Sequence, residues 1–285
     1  METNIGTLYL CATPIGNLKD ITERVLETLT EVDLIAAEDT RNSLCLLNHF
    51  EIHTPMTSYH EFNKYDKAQY LIGELKAGKN IALITDAGTP AISDPGEVLV
   101  DLCHKEGIPV TSLPGACACI TALTLSGFPS RRFCFEGFLP PEKKERNARL
   151  KALAGETRTT ILYEAPHRLK KTLEELNSAF GQQAEKRPLA LCRELTKKFE
   201  SVERTTVAKA IAFYEDKEPR GEYVLILGGV EEAVLEEAAR AEWDSLTLEE
   251  HMNLYESKGI ERKEAMKLVA KDRGISKRDV YQALL

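Results

Sequence analysis

Glu38 and Asp39 end a short apolar run, Leu34–Ala37, and open the tetrapeptide EDTR. Carboxylates at the carboxyl end of a buried strand lie where open α/β sheets bind their ligands, and there one of them can take a proton from a reacting hydroxyl. Lys197, within RELTKK at 193–198, is a second candidate base, on the condition that burial lowers its pKa. Each has a plainer reading as half of a surface ion pair, Asp39 with Arg41 and Glu194 with Lys197 or Lys198. The longest constrained loop is Thr85–Gly96, TDAGTPAISDPG, between the apolar run Asn80–Thr85 and a helix predicted over Glu97–Glu106. Gly88 and Gly96 let the backbone bend and approach a ligand, while Pro90 and Pro95 stiffen it. Asp94 is expected to cap the helix, with Pro95 at its first position. A stiff structural turn is the alternative, although strand-to-helix connections usually need only about two to six residues.

Further polar loops follow strand-like runs: Thr13–Thr22 (TPIGNLKDIT), Pro114–Cys119 (PGACAC), Gly137–Pro141 (GFLPP) and Glu164–Arg168 (EAPHR). Pro114-Gly115-Ala116 opens a helix and so offers free backbone N–H groups to an anion. Other chemistries lack their signatures. The first turn carries no GxGxxG, and GxxxxGK[ST], HExxH and GxSxG are absent, which weighs against a dinucleotide dehydrogenase, a P-loop nucleotidase, a zincin and an α/β-hydrolase. The six histidines show no metal-ligand spacing, so no metal is expected.

These loops need elements to hold them. Strands are predicted at Thr7–Ala12, Leu34–Ala37, Ile81–Thr85 and Pro109–Leu113, with a weaker one near Met56–Tyr59. Helices are predicted between them at Ile21–Thr30, Lys64–Ala77, Glu97–Glu106 and Ala118–Leu125, the first opening on a capping-box-like Asp20 and Glu23. Such alternation implies a mostly parallel sheet with helices on both faces. After Gly127–Arg132 the pattern resumes, with strands near Phe133–Gly137, Thr159–Tyr163, Leu189–Arg193 and Tyr223–Leu227 and an optional one at Ser201–Thr205. Helices there are expected at Arg146–Ala154, His167–Phe180 and Val207–Tyr214. The expected division is an N-terminal α/β domain over 1–128, a second α/β domain over 129–230 and a helical region over 231–285.

Length, at 285 residues, suits two domains, and 43% hydrophobic with 29% charged residues suits a soluble globular chain. No apolar run reaches a membrane span and no signal-peptide pattern opens the chain. Seven cysteines without CxxC pairs argue for free thiols, hence a reducing cytoplasm. The net charge of −8 speaks against nucleic acid until its distribution is considered. Residues 231–256 hold nine acids and one base, whereas 257–285 hold eight bases and four acids, and 142–151 hold five bases and two acids. Local basic patches bind phosphate even on an acidic molecule. The spacing Ala270, Gly274, Val280 fits a helix-turn-helix unit with Ser276 capping its last helix, and equally a small helical hairpin packing on its own body.

The order and wording of TPIGNLKDIT, EDTR, TDAGTPAISDPG, LPGACA, FEGFLPP, YEAPHR, RELTKKFE and RGEYVL closely resemble the tetrapyrrole methylase superfamily, from about Leu8 to Gly229. Within it they resemble the branch that 2′-O-methylates a cytidine in the decoding region of 16S rRNA. The resemblance implies two α/β domains, S-adenosylmethionine folded into the cleft between them, and a homodimer. It implies cofactor contacts from Pro14, Asp86, Ala87, Gly88, Thr89, Ile92, Pro114, Gly115, Ala116 and Cys117, with Tyr163 from the second domain. Cys117 and Cys11 stand where the family often has serine and valine, and Thr85 where serine is common, so a serine contact at 117 is absent here.

On that reading Arg41, Arg131, Arg132, Lys143, Lys144, Arg146 and Arg149 are expected at the cleft mouth, with Lys263, Lys277 and Arg278 extending the grip on RNA phosphates. Two alternatives stay open. One is a superfamily member acting on a tetrapyrrole-like ring or a protein residue, against which TPIGNLKDIT replaces the glycine-richer first loop of ring methylases. The other is a non-catalytic RNA-binding protein, which the intact DAGTP and EDTR loops disfavour.

Overall fold

The computed structural model describes residues 5–235, 237, 243 and 246–284. Apolar runs too short for helices become the strands of a first sheet: β1 (Leu8–Cys11), β2 (Leu34–Ala37), β3 (Met56–Ser58), β4 (Ile81–Ile84) and β5 (Val110–Leu113). They run in the order β3-β2-β4-β1-β5, every neighbouring pair parallel. Central β4 shows how both faces are covered, since alternate side chains point to opposite faces. Ile81 and Leu83 pack with Leu71, Leu75 and Leu99, whereas Ala82 and Ile84 pack with Val25, Leu29 and Leu47. The covering helices are α1 (Glu23–Glu31), α2 (Thr40–His49), α3 (Lys64–Lys76) and α4 (Gly96–Lys105).

Three local expectations need correction. Helix α1 is capped by Thr22, whose hydroxyl accepts from Val25 N–H, and Asp20 lies in the preceding 3₁₀ turn. Asp94 does not cap α4; Pro95 holds that position, and the Asp94 carboxylate accepts instead from the N–H groups of Ala91, Ile92 and Gly96. Helix α2 has no counterpart among the predicted helices, because its first residues (Thr40, Arg41, Asn42) look like loop; Asp39 nucleates it as N-cap.

Helix α5 (Ala118–Ser126) follows β5 but packs on the second sheet, setting Cys119, Ala122 and Leu123 against Ile161, Ala190, Cys192, Val224 and Ile226. That sheet contains β6 (Phe133–Phe138), β7 (Thr159–Glu164), β8 (Pro188–Arg193), β9 (Ser201–Thr206) and β10 (Tyr223–Leu227) in the order β6-β7-β10-β8-β9. Only the β6–β7 pair is parallel. Its other face is covered by α6 (Lys143–Ala154), α7 (Pro166–Phe180) and α8 (Val207–Tyr214).

The C-terminal helices are α9 (Leu248–Glu256), α10 (Arg262–Arg273) and α11 (Lys277–Ala283). They bury Met252, Ala265, Val269, Ala270 and Val280 in a core of their own. Gly274 ends α10 at φ +63°, and Ser276 and Asp279 form a capping box on α11. Four charged residues of the acidic stretch, Glu236, Arg240, Glu242 and Asp244, lie outside the described residues.

Candidate active site

The loops at the carboxyl ends of β2 and β4 face the second sheet across a cleft of about 650 Å³. One wall carries Ile15, Glu38, Thr85–Thr89, Ile92–Asp94, Cys117 and Ala118; the other carries Phe138, Tyr163–His167, Cys192, Leu195 and Glu222–Val224. Thr13 buckles the first loop to the DAGTP loop through N–H···O bonds in both directions with Gly88, at 2.9 and 3.1 Å. Thr89 donates its hydroxyl to the Ala116 carbonyl at 2.9 Å, which ties in the PGACAC loop.

Backbone strain concentrates here. Among the described residues, five that are not glycine have positive φ, and four of them flank the cleft: Ala91 (+66°), Ser93 (+69°), Glu194 (+51°) and Thr196 (+66°). Each such conformation costs on the order of 1 kcal/mol or more and persists only where surrounding contacts impose it, typically at functional sites. The Asp94 carboxylate imposes it on the first pair, bonding N–H groups either side of the bend at 2.8–3.1 Å.

The predicted acids behave differently from one another. Glu38 accepts from the Thr85 hydroxyl and from Asp86 N–H, and it lines the cleft. Asp86 accepts from Asp39 N–H at 3.2 Å and Asn42 Nδ2 at 3.3 Å. Partial burial, reinforced by the nearby Glu38 charge, raises the Asp86 pKa. Asp39 turns to the outside. Its carboxylate grips the Arg41 guanidinium at 2.7 and 3.1 Å, and that bond holds it down at about 2. Asp39 is therefore a helix cap and ion-pair partner, the plainer reading of the two, and Arg41 is the other half of that pair.

Lys197 fails its condition. Burial pulls the ammonium down, but hydrogen bonds to Glu222 (2.6 Å) and Glu194 (3.0 Å) outweigh it, and the net shift is upward. It is a charged clamp between two loops, not a proton acceptor.

On the second wall a register shift between Phe135 and Gly137 turns the chain, with Gly137 at φ +61°. The Phe138 ring consequently stands in the cleft, 53% exposed, edge-on to Tyr163 at 5.6 Å. Tyr163 is itself pushed up by burial. Glu164 is buried, and Thr172 donates to it while accepting from Arg146 at 2.7 Å. At the cleft floor the Cys119 thiol sits 3.3 Å from Cys117 Sγ, a contact that lowers the Cys117 pKa.

Of the expected cofactor residues, Asp86, Ala87, Gly88, Thr89, Ile92, Cys117 and Tyr163 line the cleft, whereas Pro14, Pro114, Gly115 and Ala116 belong to the adjoining loops without lining it. Gly115 is required there by packing, because a Cβ would lie 2.6 Å from that of Ala12. Phe138, His167, Leu195 and Glu222 also line the cleft without being expected there; the first two belong to the GFLPP and EAPHR loops, which is the signal that could have found them.

The expected basic residues scatter. Arg146 is only 5% exposed and spends its guanidinium on Glu175, Thr172 and the Leu139 carbonyl, so it braces the second sheet's helices instead of meeting RNA. Arg149 pairs with Glu136 at 3.2 Å. Arg131 and Arg132 precede β6, at the end of the sheet opposite the cleft, and not at its mouth. Lys263, Lys277 and Arg278 border a separate groove between α10 and α11, beside Arg262 and Tyr281.

The model of the family Tetrapyrrole (Corrin/Porphyrin) Methylases matches residues 7–211. A curated relative from Halalkalibacterium halodurans, named Ribosomal RNA small subunit methyltransferase I, is 48% identical over 276 residues, covering 97% of this chain and 93% of its own. One of the same name from Synechocystis sp. is 46% identical over 281 residues, with 99% and 98% covered. Among solved structures, uroporphyrin-III C-methyltransferase from Thermus thermophilus, complexed with S-adenosylhomocysteine, superposes with a TM-score of 0.54 at 18% identity, over 78% of this chain and 97% of that one. The chain belongs to the tetrapyrrole methylase family, and its relatives at 46% and 48% identity lie in the branch named ribosomal RNA small subunit methyltransferase I.

Proposed function

We propose that this chain transfers a methyl group from S-adenosylmethionine to the ribose 2′-hydroxyl of a cytidine in the decoding region of 16S rRNA. The observation that carries this reading is the strained cleft between two α/β sheets, in a chain similar over nearly its whole length to ribosomal RNA methyltransferases. On this reading residues 1–128 supply the acidic wall, 129–230 the aromatic wall and 231–285 an additional RNA contact.

The cleft suits the cofactor chemically. Ile15, Ile92 and Leu195 offer apolar surface, and Asp86 offers a carboxylate whose pKa burial and the Glu38 charge raise. Bound S-adenosylmethionine supplies an electrophilic methyl group on a sulfonium. Asp86 balances that charge, and Phe138 and Tyr163 shield the reacting centre from water. Glu38 accepts the ribose hydroxyl proton, worth about a hundredfold in rate. Most of the acceleration comes from holding donor and acceptor in line, which the pinned loops favour.

The basic groove of Lys263, Lys277 and Arg278 grips RNA phosphates in support. A cytoplasmic homodimer completes the reading. Ile120 and Leu125, exposed on the outer face of α5, are the surface a second copy would cover. Among the described residues no helix is long and apolar enough to cross a membrane.

The test is transfer of labelled methyl from S-adenosylmethionine to 30S subunits, 70S ribosomes and naked 16S rRNA, followed by nuclease mapping. Alkali-resistant label at one cytidine is the expected result. Cofactor binding without label on any RNA would move the acceptor to a small ring or a protein residue. No cofactor binding at all would leave a non-catalytic RNA-binding protein.

A further inference from the structure

Three strands of the second sheet connect the cleft to another feature. Glu164, Cys192 and Tyr223 line the cleft, and Thr159, Pro188 and Gly228, at the opposite ends of β7, β8 and β10, line a second hollow of about 610 Å³. Five strand steps of about 3.3 Å separate Thr159 from Glu164, so hollow and cleft lie roughly 17 Å apart on one rigid sheet.

Four arginines surround the hollow, Arg131, Arg132, Arg158 and Arg204, all of them exposed. Arg158 is held in place by Glu156, with Nη2 to Oε2 at 2.8 Å. Arg204 lies over the Phe128 ring at 5.0 Å, a contact that orients a guanidinium without neutralising it. Arg131 and Arg132 project from the loop between α5 and β6, which Thr159 ties to the sheet through its hydroxyl and the Pro129 carbonyl at 2.7 Å. Beneath, buried Arg187 donates to the carbonyls of Gly228 and Leu153 at 2.8 Å and of Glu156 at 3.0 Å, which stiffens the floor. Glu231 and Glu232 share the rim.

Exposed guanidinium groups on a rigid floor, in a chain of net charge −8, suit a polyanion whose charges are spaced along a strand. We propose that this hollow is a further RNA contact, distinct from the cleft and from the C-terminal groove, gripping backbone phosphates that flank the nucleotide held in the cleft. The proposal rests on the rRNA reading above. It gives arginines outside the cleft a part in the reaction. A ribose reaches the cleft only if its strand is held at a fixed offset, and the sheet sets that offset at roughly 17 Å.

The experiment compares the wild-type chain with Arg131→Glu/Arg132→Glu, Arg204→Gln and Arg131→Lys/Arg132→Lys. Binding to 30S subunits is measured across a salt series, alongside methyl-transfer kinetics, S-adenosylmethionine affinity and sedimentation. Charge reversal should raise KM for the subunit at least tenfold, well beyond any fall in kcat, and leave cofactor affinity unchanged. The slope of log K against log salt should shrink by roughly 0.7–0.9 for each phosphate that the variant no longer neutralises. Arg204→Gln should act in the same direction more weakly, and the lysine pair should retain most of the affinity.

An unchanged KM and salt slope would overturn the proposal. So would a loss of binding matched by an altered oligomeric state, which would make this face a contact between copies. If the wild-type chain methylates no ribosomal RNA, the functional reading itself fails. Wild-type activity with an unaffected charge-reversed variant defeats the hollow alone.

Discussion

The backbone N–H of Asp86 points at the Glu38 carboxylate, 3.4 Å from Oε2, so the two acids share one corner of the cleft. They reach it from different strands, Glu38 after β2 and Asp86 after β4. The proximity divides their roles: Glu38 is anchored by Thr85 and Asp86, whereas Asp86 feels burial and the Glu38 charge together.

Glu38→Gln should lower kcat for methyl transfer about a hundredfold while cofactor affinity changes little, since it removes a proton acceptor and keeps the shape. Wild-type kcat in the variant would remove Glu38 from the reaction.

Asp86→Asn should act in two opposite directions. Because the folded-state pKa is raised, the ionised carboxylate opposes folding at neutral pH, and that penalty grows as pH rises through the carboxylate range. The variant should therefore melt higher than wild type without cofactor at pH 7. Its S-adenosylmethionine affinity should fall roughly three- to tenfold, the scale of a half-exposed ion pair of about 1 kcal/mol. Calorimetry reads both, and unchanged affinity would refute a charge-balancing role.

Asp39→Ala removes the cap of α2 and the partner of Arg41. It should lower the melting temperature, as loss of a helix cap does, and leave kcat near the wild-type value. A loss of activity as large as that of Glu38→Gln would restore Asp39 as a base.

Arg146→Ala should behave as a folding variant. It removes one of the two cations beside the half-buried Glu175 and breaks the buried chain through Thr172 to Glu164, and leaving a buried polar group short of its partner costs about 1–3 kcal/mol. Chemical denaturation should show that loss. Reduced RNA affinity at unaltered stability would contradict this assignment.

The His251 imidazole lies buried against Trp243, and its pKa is lowered by burial and by Arg273, against the pull of Asp272. A histidine that resists protonation in the fold contributes stability above its unfolded pKa of about 6.5, lost as pH falls below that value. Limited proteolysis of the C-terminal helices should therefore accelerate between pH 7.5 and 5.5, and His251→Phe should flatten that dependence. A pH-independent wild-type cleavage rate would contradict it.

Much of the fold was legible because its signals are local. Val207–Tyr214 matches its predicted helix residue for residue, and the strands of both sheets, Ser201–Thr206 included, lie where short apolar or β-branched runs predict them. Helix α2 was not legible, since its start depends on a cap within a polar tetrapeptide. The cleft was half legible. Loops with unusual glycine and proline spacing announce themselves, GFLPP with its Phe138 among them, but the bulge that turns the Phe138 ring into the cleft shows only in the strand pairing.

From the sequence alone came the alternation of strands and helices, the loops that carry chemistry and the family that their wording resembles. All of these are properties of neighbours along the chain. Tertiary structure alone decided which loops meet. The order β3-β2-β4-β1-β5 sets β2 beside β4 although β3 lies between them in sequence, and this brings Glu38 to Asp86. It also turned Asp39 outward to Arg41, kept Lys197 charged between two glutamates and carried Arg131 and Arg132 to the far end of the second sheet. The reason is physical: a side chain's pKa and partners depend on charges and burial contributed by residues far away in the chain, and only the folded sheet order sets those distances.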